Sequence, residues 1–233
     1  MAKDNPDFSD AHALLGMAAH ELKNTLGPLA MTLQMCERRL AAGQAIAPED
    51  LAFARAQVRR LSQQVNDLLD ATRIDAEQFP VKLVSVELGA LVQQVLEGFR
   101  RVHGDRRLVT DLPLEPLTVS ADPERLSAVL VNFLDNSARY SPENSAIDIQ
   151  VRRAGDRVRV AVTDQGPGIS AQNQARLFER YFRVPETSES TRGLGLGLYL
   201  CRIIAARHGG SVGVQSAPGK GATFWLDLPL GQS

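Results

Sequence analysis

A neutral imidazole is nucleophilic at neutral pH, and His20 sits in the segment His20-Glu21-Leu22-Lys23-Asn24-Thr25-Leu26. There Glu21 could hold one ring nitrogen as N–H and sharpen the nucleophilicity of the other. Asn24, four residues on, shares a helical face with His20. In Asn132-Phe133-Leu134-Asp135-Asn136-Ser137-Ala138-Arg139-Tyr140, two asparagines lie one helical turn apart. Both amide oxygens can then face one Mg2+ or the phosphates around it. Arg139 could reach phosphate, and Tyr140 offers a wall for a base or sugar. A strand ending in Val162-Thr163-Asp164-Gln165-Gly166-Pro167-Gly168 delivers a carboxylate into a tight turn. An ionised Asp164 accepts hydrogen bonds, which suits the exocyclic amine of adenine, and Gly166 and Gly168 let the backbone approach the ring. Gly193, Gly195 and Gly197 directly precede a helix, where exposed N–H groups form a natural phosphate cradle. In Leu177-Phe178-Glu179-Arg180-Tyr181-Phe182-Arg183, aromatics could anchor a lid. Arg180, or Arg183 as second candidate, could offset charge on a transferring phosphoryl group.

Singly, each cluster also has an ordinary structural reading. Two asparagines on a helix are more often caps or surface residues, and Asp164 alone reads as a strand-ending turn. The glycines fit neither GxGxxG after a first strand nor GxxxxGK[ST], so dinucleotide-fold and P-loop readings lose. A histidine without context is usually a solvated surface residue, and His12, His103 and His208 are read that way.

These groups need elements to position them. Over about residues 9 to 78, Leu15, Leu22, Leu29 and Cys36 recur every seven residues, interleaved with Ala19, Leu26, Leu33 and Leu40. That is a helical-bundle seam, and it places His20 on the outer face. Leu51, Ala54, Val58, Leu61, Val65, Leu68 and Thr72 repeat it on a second helix beyond the turn at Ala42–Pro48. One such hairpin encloses too little apolar surface, so a homodimer closing a four-helix bundle is predicted. From Phe79 the pattern changes to short strands, hairpins at Gly155 and at Pro218–Gly221, and helices around Ala90–Arg101, after Asp122-Pro123 and following the Gly193–Gly197 glycines. Hairpins plus helices without regular βαβ alternation predict an α+β sandwich, a mixed sheet with helices on one face. The domains expected are therefore residues 1–78, a helical hairpin, and 79–233, the sandwich. Pro185–Arg192 is polar and reads as mobile.

Composition narrows the partners. The 233 residues carry a formal net charge of -1, which argues against nucleic acid. No apolar run is long enough to span a membrane, and the N-terminus has no apolar signal core. Cys36 and Cys201 form no CxxC pair and read as buried free thiols in a reducing compartment. A cytoplasmic location follows, either alone or as the cytoplasmic part of a longer, membrane-anchored protein.

Taken in order, the clusters resemble the phosphoacceptor box and the nucleotide-binding boxes of sensor histidine kinases, whose ATP-binding domain is shared with gyrase-type topoisomerases, heat-shock chaperones and mismatch-repair ATPases. The resemblance covers essentially the whole chain. It implies ATP-dependent phosphorylation of His20 and passage of the phosphoryl group to an aspartate on a response-regulator receiver domain. It implies Asn136 as the main Mg2+ ligand supported by Asn132, Asp164 on adenine, and Gly193, Gly195 and Gly197 at the phosphates and lid hinge. It further implies that Asn24 can orient a water for dephosphorylating the regulator. Related ATPases without a histidine acceptor usually carry a glutamate where Asn132 stands. Two departures are visible. Arg139 stands where lysine is common, and Thr25 stands where proline is usual. The proline here is Pro28, which frees the Asn24 carbonyl and could shift the usual bend.

Overall fold

The computed structural model describes residues 6–104, 106–185 and 193–231. The chain divides into two compact units, one running to Gln78 and including Ser188–Leu196, the other comprising Phe79–Thr187 and Gly197–Ser233.

The first unit is an antiparallel pair of long helices, α1 (Pro6–Ala41) and α2 (Pro48–Asp75). Gly43, at φ 68°, turns the chain after α1 in a conformation that costs other residues a Cβ clash. Pro48 opens α2, where its missing N–H has no intrahelical partner to lose. Arg39 and Asp50 close the turn with a 2.7 Å ion pair. Although α1 contains Pro28, it continues without interruption to Ala41, and Thr32 Oγ donates to the Pro28 carbonyl at 3.0 Å.

The expected seam divides into two lines. Leu22 and Leu29 are half-buried and Cys36 is buried, with Ala54 buried and Leu61 and Leu68 half-buried on α2. The second line, Ala19, Leu26, Leu33 and Leu40 with Leu51, Val58, Val65 and Thr72, is exposed. Leu15 lies outside the described side chains. The buried positions also include residues absent from the expected seam: Ala18, Glu21, Thr25, Gln64 and Ala71. Small and polar side chains therefore take part of the contact that leucines were expected to fill.

The second unit contains β1 (Val84–Glu87), α3 (Leu88–His103), β2 (Leu108–Asp111), β3 (Thr118–Ala121), α4 (Pro123–Tyr140), β4 (Ile147–Ala154), β5 (Arg157–Asp164), α5 (Ala171–Gln174), α6 (Gly197–Arg207), β6 (Ser211–Ser216) and β7 (Ala222–Pro229). A five-stranded sheet runs β2-β4-β5-β7-β6, and β1 pairs with β3 in a separate ribbon. Only the β2–β4 pairing is parallel, so the sheet is mixed, as expected. Alternate residues on the central strands are buried: Ile147, Ile149 and Val151 on β4, Val158, Val160 and Val162 on β5, and Phe224, Leu226 and Leu228 on β7. That alternation is the mark of a sheet covered on one face. The cover includes α4, whose Phe133 stacks on Phe224 with ring centroids 5.7 Å apart. The start of α4 is set by Asp122, whose carboxylate accepts the Glu124 and Arg125 N–H groups ahead of Pro123.

His208 corrects the surface reading given above. It is 4 % exposed. Its Nδ1 donates to the Ile204 carbonyl at 2.7 Å and its Nε2 accepts the Asp122 N–H at 2.9 Å. The end of α6 is thereby tied to the start of α4. His103 is exposed, as expected, with its ring stacked on Phe99 at a centroid distance of 4.1 Å and 3.2 Å from Asp135. His12 lies outside the described side chains, as does the 186–192 part of the polar stretch. Cys36 and Cys201 are free and buried, as expected.

Candidate functional site

In the helical unit, α1 leaves His20 exposed. Asn24, one turn further, is half-buried, and its Nδ2 is enclosed with no hydrogen-bond partner among the described residues. Glu21 does not share the outer face with His20 and is only 7 % exposed. Its backbone carbonyl accepts the Thr25 hydroxyl at 3.1 Å. Thr25 is thus a buried hydrogen-bonding residue, a role that the resemblance to a proline position did not reveal.

In the sandwich, α4 places Asn132, Asn136 and Tyr140 along one half-exposed edge, one turn apart in succession. Asn136 Nδ2 donates to Asn132 Oδ1 at 3.0 Å, which fixes the two amides as a unit and leaves Asn136 Oδ1 as an acceptor. Arg139, on the same last turn, is exposed. A Cβ on Gly197 would collide with the Asn132 carboxamide. The start of α6 therefore lies against the amide pair, and a side chain at Gly197 would displace the Asn132 carboxamide.

The carboxylate belongs to the same cluster. Asp164, at the end of β5, is 4 % exposed, and its Oδ1 accepts the Gly166 N–H at 2.7 Å. Burial raises its pKa above the ordinary 3.8, against the pull of the Gly166 and Ala222 N–H groups and the Arg106 charge. A Cβ on Gly166 would stand 2.9 Å from both Asp164 Oδ1 and the Tyr140 carbonyl. That contact joins the glycine turn to the C-terminal end of α4. Gly168 has φ 74°, and a side chain there would strike the Ala217 carbonyl. Gly219 N–H donates to the Pro167 carbonyl at 2.6 Å and Gly221 N–H to the Gly166 carbonyl at 3.1 Å. The Ala217–Gly221 turn, read from sequence only as a hairpin, thus supports the glycine turn from below. Arg106 was not anticipated either. It donates to Ser145 Oγ at 3.2 Å, to the Glu143 carbonyl at 2.9 Å and to Ser141, holding the loop that follows Tyr140. No motif flags it, because its partners are brought to it only by the fold.

Between α5 and Pro185, cations and rings interleave. Arg176 lies over Phe182 at 4.5 Å, and Arg180 over Tyr181 at 4.9 Å and Tyr199 at 5.8 Å. Arg180 is half-buried and Arg183 exposed. Tyr181 has φ 63°, an uncommon conformation for an aromatic residue. Gly193 is open around its Cα, and Gly195 has φ 67°.

Residues 11–77 match the His Kinase A (phospho-acceptor) domain, and residues 121–232 match the histidine kinase-, DNA gyrase B- and HSP90-like ATPase. The adaptive-response sensory kinase SasA of Synechococcus sp. (strain JA-2-3B'a(2-13)) is 31% identical over 233 residues, covering 98% of this chain and 61% of that protein. SasA of Thermosynechococcus vestitus is 34% identical, with 93% of this chain and 59% of that protein covered. The chain thus spans about three fifths of the length of these relatives. Among solved structures, full-length ShkA in complex with AMPPNP is similar at TM-score 0.64 and 28% identity, over 95% of this chain and 46% of that one. The mycobacterial sensor histidine kinase MprB is similar at TM-score 0.57 and 28% identity, over 65% of this chain and 100% of that one.

Proposed function

The chain belongs to the histidine kinases, with a phosphoacceptor domain followed by an ATPase-type domain, and on that premise we propose that it transfers the γ-phosphoryl group of ATP to His20. The observation carrying this reading is the exposed His20, within the phosphoacceptor match, in a chain whose second unit gathers an amide pair, a buried carboxylate and a glycine-lined approach. The working division is a dimerisation and phosphotransfer hairpin over 1–78 and a nucleotide-binding domain over 79–233.

The residues suit a metal-bound nucleotide. Asn136 offers a neutral oxygen and Asn132 holds it in place, which matches the preference of Mg2+ for oxygen and for few protein ligands. When bound, Mg2+ neutralises charge on the β- and γ-phosphates. Asp164 is held by the Gly166 and Ala222 N–H groups, and its remaining acceptor capacity is assigned to the adenine amine. Gly166 and Gly168 keep the ring's approach clear, Tyr140 borders the base or sugar, and Gly193, Gly195 and Gly197 lead into the α6 N-terminus at the phosphates. Arg139, Arg180 and Arg183 supply positive charge, with Arg180 assigned to the transferring group. At His20 the free lone pair of the neutral ring bonds to the γ-phosphorus as the bond to the β–γ bridging oxygen breaks, and ADP leaves. Catalysis is positioning and charge neutralisation. Glu21 would act on His20 through the helix, since its side chain is buried.

The phosphoryl group then passes to an aspartate of a receiver domain, and Asn24 orients water for its later removal. A homodimer completes the helical unit. No helix among the described residues is long and apolar enough to cross a membrane. Incubation with γ-labelled ATP and Mg2+ should give acid-labile, alkali-stable label that disappears in His20→Ala. Label that is acid-stable or survives that substitution overturns the reading. Given a phosphorylated receiver domain, Asn24→Ala should slow its dephosphorylation; an unchanged rate removes the second activity.

A further inference from the structure

Two buried polar side chains join the helices of the hairpin near His20. Thr25 is 2 % exposed and Gln64 6 %. The Thr25 hydroxyl is 3.1 Å from the Glu21 carbonyl oxygen and 3.1 Å from Gln64 Oε1. Its single proton is therefore shared between its own helix and the facing one. The other buried positions of this unit include the small residues Ala18, Ala54 and Ala71.

Gln64 Nε2 is enclosed with no hydrogen-bond partner among the described residues. A pair of apolar residues would bury more hydrocarbon at this place. A buried polar contact of this kind fixes register, as buried polar residues do in helical bundles. The Thr25 hydroxyl engages a carbonyl of its own helix and Gln64 of the facing one, so the rotation of α1 at this point is tied to α2.

The segment so fixed carries His20. Glu21, which provides the carbonyl, is its neighbour, and Thr25 follows His20 by five residues, less than one and a half turns. A side-chain tip lies roughly 5–6 Å from a helix axis, so a ~10° rotation moves it about 1 Å. In-line transfer is sensitive on that scale, with a 1 Å misplacement costing up to about 100-fold in rate.

We infer that Thr25 and Gln64 are positioning residues for His20: their hydrogen bond across the hairpin sets the rotation at which α1 presents the imidazole. This rests on the reading of His20 as phosphoryl acceptor. The test is the initial rate of His20 labelling from γ-labelled ATP in the whole chain, over a range of ATP concentrations, with melting temperatures measured in parallel. Thr25→Val and Gln64→Leu should each lower the rate at saturating ATP about tenfold or more, with KM for ATP unchanged. Thr25→Ser, which keeps the hydroxyl, should recover most of the rate. The double variant T25V/Q64L should be no slower than the slower single variant, because both remove one contact. Its melting temperature should equal or exceed that of the unsubstituted chain. Single variants within twofold of the parent rate overturn the inference, as do losses that multiply in the double variant or follow a falling melting temperature. If the parent chain takes up no label at His20, the acceptor reading falls first and this inference falls with it.

Discussion

Asp164 meets two opposing demands. Holding adenine requires the ionised carboxylate, while its enclosure favours the protonated form and raises its pKa from the ordinary 3.8. In the protein alone, the contribution of Asp164 to stability is fully present below the unfolded pKa and is lost as pH rises through the folded one. Nucleotide binding has the opposite sign, weakening as pH falls through the folded pKa. Calorimetric titration of the second unit's nucleotide site in the whole chain should therefore show affinity dropping on acidification above the usual aspartate range. Asp164→Asn removes an ionised acceptor worth ~1.5–3 kcal/mol, so binding should weaken by roughly 10- to 100-fold and lose most of that pH dependence. An affinity unaffected by the substitution would separate Asp164 from the base. At this scale the sequence was informative about residue types: a carboxylate before glycines, or two asparagines one turn apart, carries its chemistry in its spacing. It was silent about Arg106, which holds Ser141 from 35 residues away in the chain, and about His208, which accepts the Asp122 N–H from 86 residues away.

The helices show where periodicity stops being informative. Heptad spacing correctly marked the two apolar lines on α1 and α2, but both lines look alike in sequence, and only packing shows that one is covered and the other exposed. Polar Gln64 could not be recognised as buried because its justification is Thr25 on the facing helix. The strands were more legible, since Ile147–Gln150 and Val158–Val162 alternate with the period of a sheet covered on one face. The α2 helix also carries a strained charge. Asp67 has its pKa raised from 3.8 to about 6, first by burial and secondarily by Asp70, although Gln63 Nε2 donates to it at 2.7 Å. Its stabilising contribution is complete below 3.8 and lost as pH rises through about 6. Asp67→Asn keeps an oxygen for Gln63 and removes the charge. Allowing for the partial exposure of the side chain, denaturant unfolding at pH 7.5 should show a gain of about 1 kcal/mol, vanishing near pH 4. A gain of equal size at both pH values would assign the effect to packing instead.

At the scale of the whole molecule the exposed line decides how the hairpin persists. Leu26, Leu33 and Leu40 on α1 and Leu51, Val58 and Val65 on α2 are all exposed in a single chain. Between them runs an open groove lined by Leu29, Leu33, Ala54 and Val58 and bordered by Arg55 and Arg59. Burying one such leucine or valine is worth about 1.5–3 kcal/mol, a large share of the stability of a small domain. A second copy offers the same apolar lines, and two hairpins closed face to face give the four-helix bundle. Leu33→Glu with Val58→Glu puts a carboxylate into each line and, if the bundle closes there, four charges into one core. Sedimentation of the unsubstituted chain should show a dimer at micromolar concentration and that of the double variant a monomer. The far-ultraviolet helical signal of the variant should fall, because an isolated hairpin must hold its helices without its partner's apolar face. Nucleotide affinity should stay within about twofold, since the second unit has its own buried core and its ligand-facing residues lie outside both lines. A parent chain that sediments as a monomer with its helical signal intact would mean that the hairpin is stable alone, and the exposed leucines would then need another partner.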